Sequence, residues 1–183
     1  MGYVILGILI LFVIIFIVIY NNLVSITYQC DEAWSNVDTE LKRRYDLIPN
    51  LITVVKGYAA HEKYLLEEIV KLREKALSNQ SSVASQAADE SALSMSLERL
   101  MIRIEAYPVL RASRNFLELQ KELANTEDRI QAALRFYNGN VRENNSKIRQ
   151  FPSNIVASLF SFGRREFFKL EDMAAKLPPT VQF

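Results

Sequence analysis

One cysteine, one histidine, five glycines and five prolines among 183 residues leave several protein classes without material. Cys30 alone builds neither an internal disulfide framework nor a cysteine-rich metal site. A di-iron carboxylate bundle needs two Glu-x-x-His pairs, and a zinc-protease helix needs two histidines one turn apart. His61 has no second histidine, so His61-Glu62 reads as an exposed or capping position on a helix. So few glycines and prolines do not punctuate a sheet protein built on tight turns. The chain also lacks a glycine-rich phosphate loop, a nucleophile elbow and a Ser-x-x-Lys motif. Its 22 Lys and Arg are interspersed with 21 Asp and Glu, and with no basic stripe to neutralise a phosphate backbone, nucleic acid drops out as a partner.

Charge is missing from one region altogether, since no Asp, Glu, Lys or Arg precedes Asp31. Residues 1–20 comprise 18 apolar residues and two glycines, so the mean hydropathy of +0.02 averages two unlike parts. As a helix, the uncharged run 3–20 covers about 27 Å, close to the thickness of bilayer hydrocarbon. No Lys or Arg precedes the run and no small-x-small cleavage site follows it, which favours an uncleaved anchor over a signal peptide. Thr27-Tyr28-Gln29-Cys30 does not have the small aliphatic residues of a lipoprotein site. Lys42, Arg43 and Arg44 are the first cations after the span, so the positive-inside bias points to a single-pass protein of the cell membrane, amino terminus outside and remainder cytoplasmic.

Beyond the anchor, apolar positions recur in steps of three and four. One stripe runs Trp34, Val37, Leu41, Tyr45, Ile48, Ile52, Val55, Ala59; a second runs Leu93, Leu97, Leu100, Ile104, Tyr107; a third runs Phe116, Leu119, Leu123, Glu127, Ile130, Leu134, Tyr137, Val141. Each is one face of a helix that must be buried against another, and nothing alternates with period two, so the fold class is all-α. Pro49 and Pro108 interrupt stripes without a loop cluster beside them and predict kinks rather than stops. Residues 78–96 contain seven serines and few long apolar side chains, and read as the turn of a long hairpin. Arms of about 84 Å and about 90 Å follow from the helical rise, so an antiparallel pair returns the chain to the membrane. The expected organisation is an anchor at 1–22, an elongated antiparallel helical bundle at 23–150 with its turn near 78–96, and an aromatic and basic segment at 151–183.

That last segment contains Phe160, Phe162, Arg164, Arg165, Phe167, Phe168 and Lys169. Two readings are open: the aromatics cap the end of the bundle, which is favoured because bundles need such a cap, or the segment lies at the lipid headgroups. Within the third stripe, Glu127 places a carboxylate on a seam where it needs a partner, and Arg44 and Arg135 are candidates. A register-fixing ion pair or an exposed stripe edge is the plainer reading, and a site or switch the sharper one. Pro49 is read as a kink ahead of a partner-docking notch, and Trp34 as core ahead of an interfacial anchor.

Glu32-Ala33-Trp34-Ser35-Asn36-Val37-Asp38, Leu41-Lys42-Arg43-Arg44-Tyr45-Asp46-Leu47-Ile48-Pro49-Asn50-Leu51 and Val55-Lys56-Gly57-Tyr58 together resemble the signature of the bacterial LemA family. Further likeness lies at Glu105-Ala106-Tyr107-Pro108, Asn115-Phe116, Leu119-Gln120, Leu123, Thr126-Glu127, Arg129-Ile130, Tyr137-Asn138, Phe151-Pro152-Ser153-Asn154 and Val181-Gln182-Phe183. The resemblance marks Trp34, Asp38, Arg44, Pro49, Gly57, Tyr107, Pro108, Glu127 and Tyr137 as structural signature positions. It implies one amino-terminal anchor followed by a cytoplasmic helical bundle, with no enzymatic activity, catalytic residue, metal or cofactor established. It also implies association with envelope and membrane organisation, including a magnetosome-formation relative. The expectation is a non-enzymatic scaffold that self-associates, with the lipid bilayer, a second copy and envelope proteins as partners. A sensor or adaptor for another membrane protein, such as a protease, is the alternative, and an enzyme with an unrecognised site a third class.

Overall fold

The computed structural model describes residues 1–169. The end of the 151–183 segment, including Val181-Gln182-Phe183, lies outside the described residues. Among the described residues six α-helices follow one another: α1 (Gly2–Lys56), α2 (Lys63–Ser78), α3 (Val83–Ile104), α4 (Pro108–Arg111), α5 (Arg114–Lys147) and α6 (Ser153–Leu159), with a 3-10 turn at Ala60–Glu62 before α2. No strand occurs among the described residues. The fold class is therefore all-α, and α1 begins with a stretch of mean hydropathy 3.3 that is long and apolar enough to cross a membrane and has no buried residue among the described ones. The chain packs as two units, one of Met1–Asp38 with Ala132–Phe167 and one built on Thr39–Gln131.

In the first unit, the end of the apolar run meets the carboxy-terminal half of α5 and the short α6. Asn140 Nδ2 donates to the Gln29 carbonyl at 3.1 Å and Lys147 Nζ to Asn22 Oδ1 at 2.6 Å, so α5 runs antiparallel to α1 with a constant register. Leu23, Val156 and Ala157 form a small core, flanked by Phe16, Ile19, Tyr20, Ile148 and Phe162. Ile26, Cys30, Ala33 and Val37 continue the buried face of α1, and Leu134, Tyr137 and Val141 that of α5. α6 ends in a Schellman turn: Phe162 N donates to the Ala157 carbonyl at 2.9 Å and Ser161 N to the Ser158 carbonyl at 3.4 Å. Ser161 has the left-handed φ of 59° that this turn requires and that glycine usually supplies. The turn sets Phe160 and Phe162 against Tyr20, with ring centroids at 4.7 and 5.8 Å.

In the second unit, α2 and α3 form a helical hairpin whose turn is much shorter than the serine content suggests. Only residues 79–82 leave the helix, and α3 starts at Val83, where Ser82 Oγ caps it by accepting from Ser85 N at 3.2 Å. The predicted turn over 78–96 is therefore mostly helix. Serine is a moderate helix former, and its hydroxyl can be satisfied inside the helix, as Ser91 Oγ is on the Ala87 carbonyl at 2.8 Å. Small side chains also let α3 approach its neighbours, and Ala87, Ser91 and Ser96 are buried. Asn79 closes the turn by accepting from Ser81 N at 2.9 Å and donating to Asp89 Oδ2 at 2.6 Å.

The two prolines behave differently. Pro108 is a stop and restart, not the expected kink: it occupies the first turn of α4, where a missing N–H costs nothing, and Tyr107 before it is extended (φ −118°, ψ 77°). Pro49 lies inside α1, which runs on past it. A residue with an N–H at position 49 donates to the Tyr45 carbonyl; proline cannot, and Arg73 Nε of α2 reaches that carbonyl instead, at 2.6 Å. The proline thus frees an acceptor on which α2 docks.

Two expectations test these packings. Arg73→Met should destabilise the protein by about 1–3 kcal/mol, the cost of an unsatisfied buried acceptor, and most of that loss should vanish in a Pro49→Ala background that restores the helical N–H; chemical denaturation of the four proteins measures it. Burial pushes the Cys30 thiol above its ordinary range, with Arg165 partly opposing, so little thiolate forms at neutral pH. Iodoacetamide should accordingly label Cys30 far more slowly in the native protein than in denaturant, as mass spectrometry of timed aliquots reads directly.

Candidate functional site

The strongest concentration of buried polar groups lies in the second unit, where α1, α3 and α5 each bring charge to one place. α1 presents Arg44 and Tyr45, α3 presents Gln86 and Glu90 one turn apart, and α5 presents Glu127. Glu90 is wholly buried and Arg44 is 3% exposed. Arg44 Nη2 donates to Glu90 Oε2, and Tyr45 OH donates to Glu90 Oε1. Gln86 Nε2 adds a bond to Glu90 Oε1 at 2.9 Å and reaches back to the Ala76 carbonyl of α2 at 3.1 Å. The other Arg44 nitrogen, Nη1, donates to Glu127 Oε2 at 2.9 Å and to Ser94 Oγ at 3.0 Å. Gln131 Nε2 completes the Glu127 carboxylate at 2.9 Å.

Of the two cations weighed for Glu127, it is Arg44 that meets it. The guanidinium forks between two carboxylates on two helices, a geometry that its planar array of donors fixes in place. Glu127, with its side chain 41% exposed, is the solvated member; Glu90 is the one that water cannot reach. Glu90, Gln86 and Asp89 were not among the expected residues, because they fall in the serine-rich stretch. The second stripe carries the signal: stepping back from Leu97 and Leu93 by three and four gives Glu90 and Gln86. Chemically the cluster is a charge clasp, and it opens onto a concavity of about 350 Å3 lined by Leu97, Met101, Leu123 and Glu127.

The remaining signature positions are spread over both units. In the second, Pro49 is the α2 docking point described above, and Gly57 lies just past α1, where a Cβ meets only the Val54 carbonyl at 3.5 Å, an ordinary contact. Tyr107 OH donates to Glu62 Oε1 at 3.2 Å, tying the residue before Pro108 to the start of α2. In the first unit, Trp34 is half-buried with its ring 5.1 Å from that of Tyr137, and Tyr137 OH donates to the Glu166 carbonyl at 2.9 Å. Burial pushes the Tyr137 phenol above its ordinary value, so it stays a donor. Asp38 is half-buried at the end of that unit's part of α1.

The aromatic and basic segment divides unevenly. Phe160 touches Tyr20 and, at 5.9 Å, Phe16, one turn inside the apolar run. Arg164, Phe167 and Lys169 are exposed. Two residues weighed for a lipid interface, Phe168 and Arg165, are engaged within the chain instead. Phe168 is 3% exposed, and Arg165 grips Asp31 through both nitrogens, at 2.6 and 3.1 Å. Sequence spacing did not find the outward face of α6, where Phe151, Ile155 and Leu159 stand exposed at four-residue intervals.

The arrangement defines a class: an all-helical protein whose first helix is fit to cross a membrane and whose packed part is pinned by a buried arginine–glutamate clasp. The sequence profile of the LemA family matches residues 33–183, and the chain belongs to that family. It is 29% identical to Protein LemA of Metamycoplasma hominis, over 75% of this chain and 63% of that protein. It is 23% identical to Magnetosome protein MamQ 2 of Paramagnetospirillum magneticum, over 82% of this chain and 64% of that protein. With Magnetosome protein MamQ of Magnetospirillum gryphiswaldense the identity is 22%, over 87% and 68%. The chain thus spans just under two thirds of the first two relatives, and none of these names is an enzyme's.

Removing the Arg44 charge leaves Glu90 buried and unpaired, so Arg44→Met should cost about 3–5 kcal/mol in unfolding free energy. Glu127→Gln, at a solvated carboxylate, should cost about 1 kcal/mol or less. Urea denaturation followed by circular dichroism separates the two; equal losses contradict the assignment of Glu90 as the dependent partner.

Proposed function

We propose that this protein is a non-enzymatic, membrane-anchored helical scaffold that self-associates and serves envelope or membrane organisation, with its short amino-terminal tail outside and its bundle in the cytoplasm. The observation that carries the reading is the seam between α3 and α5 in the second unit, which none of the described elements fills. Leu97, Met101 and Leu123 line it half-buried, and Ile102 and Leu117 stand 61% and 51% exposed. Two concavities along it, of about 350 and 280 Å3, share Glu98, Met101 and Gln120, so they form one groove. An open apolar seam between helices is a place for a further helix face.

A second copy of the chain is the occupant we favour. The rim of the groove carries Glu98 and Glu105 together with Arg111, both signs on one patch, so a copy related by a twofold axis can pair Arg111 with a carboxylate of its partner. The relatives that carry the magnetosome name support a role in membrane organisation. The positive-inside bias of Lys42, Arg43 and Arg44 supports the orientation.

Size-exclusion chromatography with light scattering, on the full-length chain in mild detergent, should give a dimer or larger at micromolar concentration. Met101→Glu and Leu123→Glu should each return it to a monomer of unchanged helicity. A wild-type monomer overturns self-association; a stoichiometric protein that co-purifies with that monomer points instead to the adaptor role.

A further inference from the structure

At the membrane end of the first unit, α5 and the extended chain after α6 wall a concavity of about 510 Å3. Arg142 and Arg149 line it from α5 and the turn that follows, and Arg164 lines it from the opposite wall, with Phe167 at its rim. Among the described residues none of these three guanidinium groups is in an ion pair, whereas Arg165 beside them is committed to Asp31. The walls are held in place by Asn145, whose side-chain amide makes a two-way bond to Arg165: Nδ2 donates to its carbonyl and Oδ1 accepts from its N–H, both at 2.9 Å. Asn144 Nδ2 adds a bond to the Gly163 carbonyl at 3.3 Å. Arg165 is pinned to Asp31, while its neighbour Arg164 lines the hollow. Three like charges are thus gathered around one hollow, an arrangement that repels itself until an anion enters.

The depth of the hollow identifies the anion. Residues 140 and 147 lie opposite 29 and 22, so in the same register Arg149 lies level with Tyr20 and Arg142 level with Thr27. Tyr20 ends the apolar run. The two arginines are seven residues apart, about 10 Å along the helix, and therefore span the layer just outside the hydrocarbon where phospholipid phosphates lie. Below them, the exposed Ile155 and Leu159 of α6 and the Phe160–Phe16 contact stand at the level of the acyl chains. Guanidinium forks match phosphate oxygens two at a time.

We propose that Arg142, Arg149 and Arg164 form a binding site for the phosphate of an anionic phospholipid headgroup, with α6 against the acyl chains of the same lipid. The site rests on the anchor lying in a bilayer and is independent of self-association. It places a lipid-selective contact beside the anchor, so that the protein is sensitive to the charge of the leaflet it stands in.

The full-length chain in maltoside micelles, exchanged into equal phosphatidylglycerol and phosphatidylcholine, is analysed by native mass spectrometry. Wild type should retain phosphatidylglycerol over phosphatidylcholine by about tenfold or more. The triple variant Arg142→Gln, Arg149→Gln, Arg164→Gln should lose that preference, and the triple lysine variant should keep part of it. Neutralising Lys71, Arg103 and Lys121 of the second unit by Gln should leave it intact. Both glutamine variants should still float with neutral phosphatidylcholine vesicles; if wild type does not float, the anchor reading itself fails and the site with it. Equal phosphatidylglycerol retention by wild type and the first triple variant overturns the site. If inorganic phosphate binds wild type but not that variant, and phosphatidylglycerol shows no preference, the hollow takes a soluble anion and the lipid assignment is overturned.

Discussion

A carboxylate taken out of water must be paired or it drives the chain apart, and Glu90 is such a carboxylate. Its partners come from α1 as Arg44 and Tyr45, and from its own helix as Gln86. Arg44 in turn reaches Glu127 on α5. Three helices are thereby locked in one register by a group that has no low-energy alternative. A purely apolar seam can slip by a turn, but a buried ion pair cannot slip without losing its partner. The same demand for satisfied groups operates one turn along α1, where Pro49 leaves the Tyr45 carbonyl without its helical donor and Arg73 supplies one from α2. α2 and α3 are each tied to α1 by an arginine, Arg73 and Arg44, and both ties meet α1 at Arg44 and Tyr45, five and four residues before Pro49.

The first unit applies the rule to chain direction rather than helix register. The Schellman turn at Ser161 and the paired bonds of Asn145 convert an otherwise irregular segment into a fixed wall. Aromatic rings at Phe16, Tyr20, Phe160 and Phe162 fasten α6 to the end of the apolar run, and Arg165 fastens the following chain to Asp31. Among the described residues, polar closure above and aromatic closure below leave two surfaces uncommitted: the outer face of α6 and the arginine-lined hollow. No described residue of the second unit fills the α3–α5 seam either. The proposed scaffold role and the proposed lipid contact each rest on one of these surfaces.

Much of this was legible in the residues. The absence of charge before Asp31 marked the anchor, and the three- and four-residue steps marked the buried faces of α1, α3 and α5. Glu127 drew attention because a charge on an apolar stripe needs a partner. Its deeper counterpart, Glu90, is hidden in the sequence because the serines around it read as a turn signal. That signal fails when hydroxyls bond locally and small side chains permit close packing, as at Ser91 and Ser96. Pro49 and Pro108 look alike in sequence, yet one continues a helix and the other restarts one. The difference is tertiary: Pro49 has Arg73 to take up the freed carbonyl, whereas Pro108 follows an extended Tyr107 tied to Glu62. The bends that separate α1 from α2 and α3 from α5 likewise depend on contacts distant in sequence.

The account makes the serine-rich half of α3 a helix held by the Glu90–Arg44 pair, and native-state hydrogen exchange tests that most directly. In the full-length protein, amides over residues 87–96 should exchange as slowly as those of the Leu100–Ile104 end of α3, and Arg44→Met should release the first group before the second. Fast exchange over 87–96 in the wild-type protein, comparable to residues 79–82, contradicts the claim that this buried pair organises the fold.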